Sequence, residues 1–247
     1  MLAQATAHEK LPERLLLSTP LHPLRWLLGR WQSSPAARTR LIPLIRTVRW
    51  EPLKAFIDQS IREVAPFYAN VTVNLTRLEV SELQPLSRVA GRSRYRKANQ
   101  ITRSMSTRGL ELFEPCLLRY HKELAYRLVL PPLVEKTADG YVVLDGVHRF
   151  KAAMDTHRLP SSVMVLVVEG ALPPLPATPA EWRDVNVLKS QSRTKKFKNL
   201  RRGYFRPAGR FLRSDRFCFA SLDQFKTACD AAVARRPDGK STSPARG

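Results

Sequence analysis

Acidic residues are scarce in this chain of 247 residues: 21 Asp and Glu stand against 42 Lys and Arg, leaving a formal charge of +21. Such an imbalance excludes a charge-neutral surface. It raises the local concentration of polyanions, with nucleic acid the first candidate. An arginine-rich background composition gives the same number without any partner, and an anionic membrane surface is a further polyanion. Cysteine is nearly absent. Cys116, Cys218 and Cys229 contain no Cys-x-x-Cys spacing, so neither a disulfide framework nor a zinc site is indicated, and a reducing cytoplasm fits. No apolar run approaches the ~20 residues needed to span a bilayer. The opening MLAQATAHEKLPERLLL lacks the charged start, apolar run and small-residue cleavage site of a signal peptide. These absences predict a cytoplasmic protein with no membrane span. There is no internal repeat.

Hydrophobic residues are plentiful at 43%, enough for a real core in one extended domain or two small ones. Residues Met1–Ala69 read as helical pieces cut by Pro20, Pro23, Pro35, Pro43 and Pro52. The clearest helix is predicted over Pro52–Val64, where Leu53, Phe56, Ile57, Ile61 and Val64 share a face. Trp26, Leu27, Leu28 and Trp31 form another apolar stripe, expected to pack on the main domain, with a membrane-surface or partner helix as the alternative. A strand begins at Val71, where Val73 and Leu75 alternate with Thr72 and Asn74. The basic stretch Arg88–Lys97 follows a loop, and a short helix over Asn99–Arg108 stops at Gly109. Leu128–Leu133 and Tyr141–Leu144 read as strands joined by the turn Thr137–Gly140. Phe150–His157 is an expected helix, and Ser162–Val168 an expected buried strand. Ala171–Pro179 reads as a linker, Ser221–Arg235 as a last amphipathic helix, and the tail as disordered.

The chemistry concentrates in Asp145, Gly146, His148 and Arg149, between a strand and a helix start. Backbone N–H groups and the helix dipole favour an anion at such a turn. Gly146 permits close approach to phosphate, and Arg149 offers a planar fork of donors. His148 can donate to phosphate or move a proton near neutral pH. Asp145 can hold magnesium, orient the histidine or accept a proton. The same four residues also suit a plain tight turn with a capping aspartate.

The run YVVLDGVHRFKAAMDTHRLPSSVMVLVV resembles the core of the ParB/sulfiredoxin-like superfamily: strand, Asp-Gly-x-His-Arg turn, alanine-containing helix, short proline-bearing link, buried strand. Leu130–Glu135 resembles the preceding strand. The match covers roughly Leu128–Val168 and fades back toward Val71. The resemblance implies an α/β (α+β) fold with a small mixed sheet, and binding of ATP, ADP or CTP by Gly146, Val147, His148 and Arg149. The chemistry of the residues adds Mg2+ at Asp145 and gives Asp145 and His148 the catalytic roles. Val147 occupies the position of the sulfiredoxin cysteine, which removes that chemistry. Free serine kinases of the superfamily carry a glutamate near the position of Leu86 or Ser87. Here only Glu79 or Glu82 could replace it. Partition proteins carry a basic box, echoed by Pro85, Arg88 and GRSRYRK, and their helix before the second box corresponds to QITRSMSTRGL. The helix-turn-helix that should follow is not evident.

Two basic segments complete the reading. In Lys189–Arg216 the only acid is Asp215. Lys195, Lys196, Lys198, Arg201, Arg202, Arg206, Arg210 and Arg213 interleave there with Phe197, Tyr204, Phe205 and Phe211. Cations suit phosphates and aromatics suit bases, while a solvated face over core-packed aromatics is the plain alternative. Arg92, Arg94, Arg96 and Lys97 form the second candidate patch, with binding of the nucleotide, whose site is expected nearby, as the alternative. The expected organisation is a helical extension over 1–70, a nucleotide-binding domain over 71–170, and a proline linker, basic segment and terminal helix over 171–247. The expected function is a ParB-like nucleotide-binding protein, with NTP hydrolysis open, acting with DNA. An ATP- or ADP-dependent small-molecule kinase and a non-catalytic nucleic-acid-binding module are the alternatives. Homo-oligomerisation is open.

Overall fold

The computed structural model describes residues 40–44, 47–62, 66–119, 123–170, 174–189, 192–205 and 217–235. The Trp26–Trp31 stripe, Arg206, Arg210, Phe211, Arg213 and the C-terminal tail lie outside these. In chain order the elements are β1 (Arg40–Pro43), α1 (Trp50–Arg62), β2 (Thr72–Glu79), β3 (Leu83–Pro85), β4 (Val89–Gly91), α2 (Arg92–Ser106), β5 (Cys116–Arg119), β6 (Tyr126–Val129), β7 (Leu133–Thr137) and β8 (Gly140–Asp145). They continue with α3 (Val147–Asp155), β9 (Ser162–Glu169), β10 (Asn186–Leu188), α4 (Arg193–Lys196), β11 (Cys218–Phe219) and α5 (Leu222–Ala234). The fold is mixed α and β, as expected.

The main sheet has the order β2-β9-β7-β8-β3 and mixes parallel with antiparallel pairs. Its spine is β9, whose Val163, Val165, Leu166, Val167 and Val168 are all buried. A strand paired on both sides and covered on both faces needs such a continuous apolar run. One face, with Val134, Val143, Val163 and Val165, packs on Val147 and Phe150 of α3. The other, with Leu133, Leu166, Val168 and Val73, packs on α1 and α5 through Leu53, Ile57, Ile61, Phe225 and Cys229. Phe56 stands edge-on to Phe217 and Phe225, with ring centroids 6.0 and 5.7 Å apart. At the start of α5 the Ser221 hydroxyl accepts from the Gln224 N–H.

A second antiparallel sheet, β1-β5-β6-β11, draws its strands from before, within and after the Val71–Gly170 region. Arg40–Pro43 is thus a strand inside a stretch expected to be helical, because β5 supplies its hydrogen-bond partners. Leu128–Leu133, expected as one strand, divides between the two sheets: β6 ends at Val129 and β7 begins at Leu133. Pro131 and Pro132 cause the break, since neither can donate to a ladder. The helix expected from Asn99 begins at Arg92, immediately after β4. Its buried residues are small or polar (Ala98, Thr102, Ser104) apart from Met105, so little hydrophobic periodicity marked its first two turns.

The proline-rich stretch after Gly170 is tied down. Thr178 N–H donates to the Lys198 carbonyl at 2.9 Å, Arg201 N–H to Pro176 at 2.8 Å and Ala180 N–H to Pro85 at 2.9 Å. Ala177 and Phe197 are buried there against Leu86 and Val142. No helix among the described residues is long and apolar enough to cross a membrane.

Candidate functional site

The Asp145–Arg149 turn stands where β8 ends and α3 begins. Gly146 is the N-cap of α3, with a left-handed φ of 107°. The N–H groups of Arg149 and Phe150 close back on its carbonyl at 2.8 and 3.0 Å. A helix start of this kind leaves its first backbone N–H groups without intrahelical acceptors and places its positive dipole end there. Val147 is buried in the core beneath the turn.

His148 links this turn to a second helix start. Its Nε2 accepts the Gly91 N–H at 3.1 Å. Gly91 is both the last residue of β4 and the N-cap of α2. An Nε2 that accepts carries no proton of its own. The N-termini of α2 and α3 therefore converge, and α2 opens with exposed Arg92, Arg94, Arg96 and Lys97.

Arg149 is placed differently from the turn's other residues. It is buried, and it donates from Nη1 to the Leu130 carbonyl. Its guanidinium lies 5.6 Å from the centre of the Phe113 ring. Burial pushes its pKa down, while Asp145, then Cys116, pull it back up. Asp145 is therefore, in part, the counter-charge of Arg149. Gly146 has a packing reason too: a Cβ there would come within 2.7 Å of Pro132 Cβ.

Among the described residues no group of three His, Cys, Asp or Glu is placed to hold a metal. A magnesium ion bound with a nucleotide needs only one or two carboxylates besides phosphate oxygens, and Asp145 is the carboxylate at this turn. Neither Glu79 nor Glu82 stands beside it. They cap one short turn together, before β3, whose Leu83 pairs with Tyr141 at the other end of β8. Four residues of strand separate Tyr141 from Asp145, about 13 Å.

The two basic segments lie at opposite ends of β4. Arg88, just before it, donates its N–H to Lys196 at 2.9 Å and Nη2 to Lys195 at 3.4 Å. Arg92, just after it, begins α2. β10 runs parallel alongside β4, pairing Asn186 with Val89. Lys195, Lys198, Arg201 and Arg202 are exposed, and Lys196 is half-buried over the Phe197 ring at 5.0 Å. Phe197 is buried and meets Phe205 edge-on at 5.7 Å, so it serves the core and is closed to base stacking. Tyr204 is the exposed aromatic of this segment among the described residues.

Sequence reasoning missed Gly91, which sits 57 residues from His148 and is joined to it only by the fold. It also missed a cavity of about 620 Å3 on the sheet face away from α3. Glu135 and Val142 line its wall, and Gln84, Thr178 and Arg201 line its rim. Glu135 is buried on β7, and an acid at an inward-facing strand position was the available signal.

No family model matches the chain, and no match to it was found among curated proteins or solved structures.

The thiols yield a pH prediction. Burial pushes Cys116 up to about 12, with Arg149 opposing and Glu114 adding to the shift. Burial likewise pushes Cys229 up to about 12, with Asp230 adding. A thiol that ionises more easily in the unfolded chain contributes stability that is whole below the unfolded pKa, near 9, and is lost as pH rises toward the folded one. Between pH ~9.5 and ~10.5, Cys116 should cost about 1 kcal/mol of stability. Urea unfolding of the wild type should steepen in that window relative to Cys116→Ala. Parallel curves would show that the thiol ionises in the native state.

Proposed function

We propose that the protein is a ParB/sulfiredoxin-like nucleotide-binding protein that acts on nucleic acid, probing a polyphosphate at the Gly146–His148 turn. The observation that carries this reading is the convergence of two helix N-termini, joined by the Gly91 N–H to His148 Nε2 hydrogen bond and bordered by exposed Arg92, Arg94, Arg96 and Lys97. Two positive dipole ends beside four exposed side-chain cations form a field suited to several phosphate charges. The strand-turn-helix of β8 and α3, followed by the buried β9, supports the resemblance in the order of its elements.

In this reading the backbone from Gly146 to His148 holds the phosphates of ATP, ADP or CTP. His148, once released from Gly91, donates to them. Arg149 contributes its charge from below the turn, and Asp145 holds Mg2+ or accepts a proton. A cytoplasmic setting belongs to this reading, and the three free thiols suit it. The position of Glu79 and Glu82 at the far end of β8 favours nucleotide-dependent nucleic-acid work over transfer of phosphate to a small hydroxyl acceptor.

The test is thermal unfolding with ATP, ADP, CTP and GTP, each with and without Mg2+ and duplex DNA. A ligand at 100 times its Kd should add about 2.7 kcal/mol, a rise of roughly 5–10 °C for a chain of this size. His148→Ala should abolish that rise. If no nucleotide shifts the wild type, the pocket assignment fails. Nucleic-acid binding has a separate signature: Arg94→Ala with Lys97→Ala should reduce the slope of log affinity against log salt by about 2. An unchanged slope removes these cations from the interface.

A further inference from the structure

From the exposed face of α2 we infer that this helix enters the major groove of double-stranded DNA. The inference rests on the nucleic-acid reading above and names its partner. At 100° per residue, Arg92, Arg96, Gln100 and Arg103 fall within an arc of about 80°. All four are exposed. Of the buried residues, Ala98, Thr102 and Met105 lie on the opposite side and Ser104 about 40° beyond Gln100, so the body of the protein holds α2 along its far side and one flank and presents the stripe. The helix contains no acid, and no ion pair among the described residues engages any of these three arginines.

A merely solvated helix face usually intersperses acids with its bases, for the few tenths of a kcal/mol that pairs four apart supply. This face omits them, as suits a surface that meets a polyanion. Arg92 and Arg103 are separated by about 16 Å along the axis, a span of roughly five base pairs. The B-form major groove, about 12 Å wide, admits an α-helix. Arginine is the bidentate partner of guanine edges there and glutamine of adenine edges, so the stripe carries base-reading groups as well as charge. Lys97, also exposed and about 60° beyond Gln100 around the helix, is placed for the phosphates of one groove wall. The deep, narrow major groove of A-form RNA does not admit a helix, and this selects DNA over RNA duplex.

The experiment measures fluorescence anisotropy of the full chain against one sequence prepared as B-form DNA duplex, as RNA duplex and as single-stranded DNA. The variants are Arg96→Ala with Gln100→Ala, Arg103→Ala, and Arg127→Ala as a charge control on β6. The expected result is tightest binding to the DNA duplex, a loss of about tenfold or more in each α2 variant, and little loss in the control. Circular dichroism of each variant checks that α2 still folds. If all three nucleic acids fail to bind, both the nucleic-acid reading and this inference fall. If the duplexes bind equally, or if the α2 variants match the Arg127 control, the groove-entering role falls and nucleic-acid binding stands.

Discussion

Gly146→Ala should lower the unfolding free energy by about 2–5 kcal/mol, seen as a drop of roughly 5–20 °C in the thermal midpoint. Two costs add. At a φ of 107° the backbone sits where an L side chain is strained, at about 1–2 kcal/mol. The new methyl also meets Pro132, with its Cβ at 2.7 Å and its Cα at 3.2 Å. Pro132 has little room to yield, because its carbonyl accepts the Leu166 N–H from the sheet spine at 2.9 Å. Overpacking of this kind costs about 1–3 kcal/mol. Gly203 supplies the control: nothing stands within 4 Å of a Cβ there, so Gly203→Ala should stay within about 0.5 kcal/mol of wild type. Urea unfolding of the two variants measures the contrast. The outcome also separates two meanings of the glycine. If Gly146→Ala keeps its stability and loses nucleotide, the residue serves phosphate approach. If stability falls as stated, the close neighbour it exists for is Pro132.

Elements that bury a regular apolar stripe were legible in the sequence. α1 was expected over Pro52–Val64 and runs Trp50–Arg62, and α5 was expected over Ser221–Arg235 and runs Leu222–Ala234. β9, expected over Ser162–Val168, extends by one residue to Glu169. Elements defined by distant partners were not legible. β1 and β11 are short strands that exist only through pairing with β5 and β6, and β4 depends on β10 nearly a hundred residues later. A strand of two to four residues carries too little alternation to be recognised alone. The candidate site divides in the same way. Asp145, Gly146, His148 and Arg149 were visible because a strand, a turn and a helix adjoin within nine residues. What could not be seen is the direction each side chain takes. His148 reaches across to Gly91, while Arg149, its immediate neighbour, turns inward to Leu130. Residues one apart on a helix diverge by about 100°, so a motif of adjacent residues cannot place all its members in one pocket.

Arg149→Ala is expected to destabilise the fold by about 3 kcal/mol, because it removes a buried guanidinium that satisfies a buried carbonyl and covers an aromatic face. The Leu130 carbonyl would lose its donor, at about 1–3 kcal/mol for a buried acceptor. The stacking of the guanidinium over Phe113 would go with it, worth up to about 2 kcal/mol where water is excluded. Arg149→Lys should recover only part of this, since an ammonium lacks the planar fork that satisfies a carbonyl and an aromatic face together. Asp145→Asn tests the remaining link. If Asp145 serves as counter-charge to Arg149, a double-mutant cycle between Arg149→Ala and Asp145→Asn should show a coupling of about 1 kcal/mol by urea unfolding. Additive effects would free Asp145 for magnesium or for proton transfer. The stability measurement governs how nucleotide binding in these variants is interpreted. A destabilised Arg149→Ala that loses nucleotide shows only that the turn needs its foundation. A variant within about 0.5 kcal/mol of wild type that loses nucleotide shows that the guanidinium reaches the phosphates, which requires Arg149 to exchange the Leu130 carbonyl for the ligand on binding. Measuring both properties on the same protein, below its unfolding transition, decides between a buried strut and a binding residue that is sheathed until its ligand arrives.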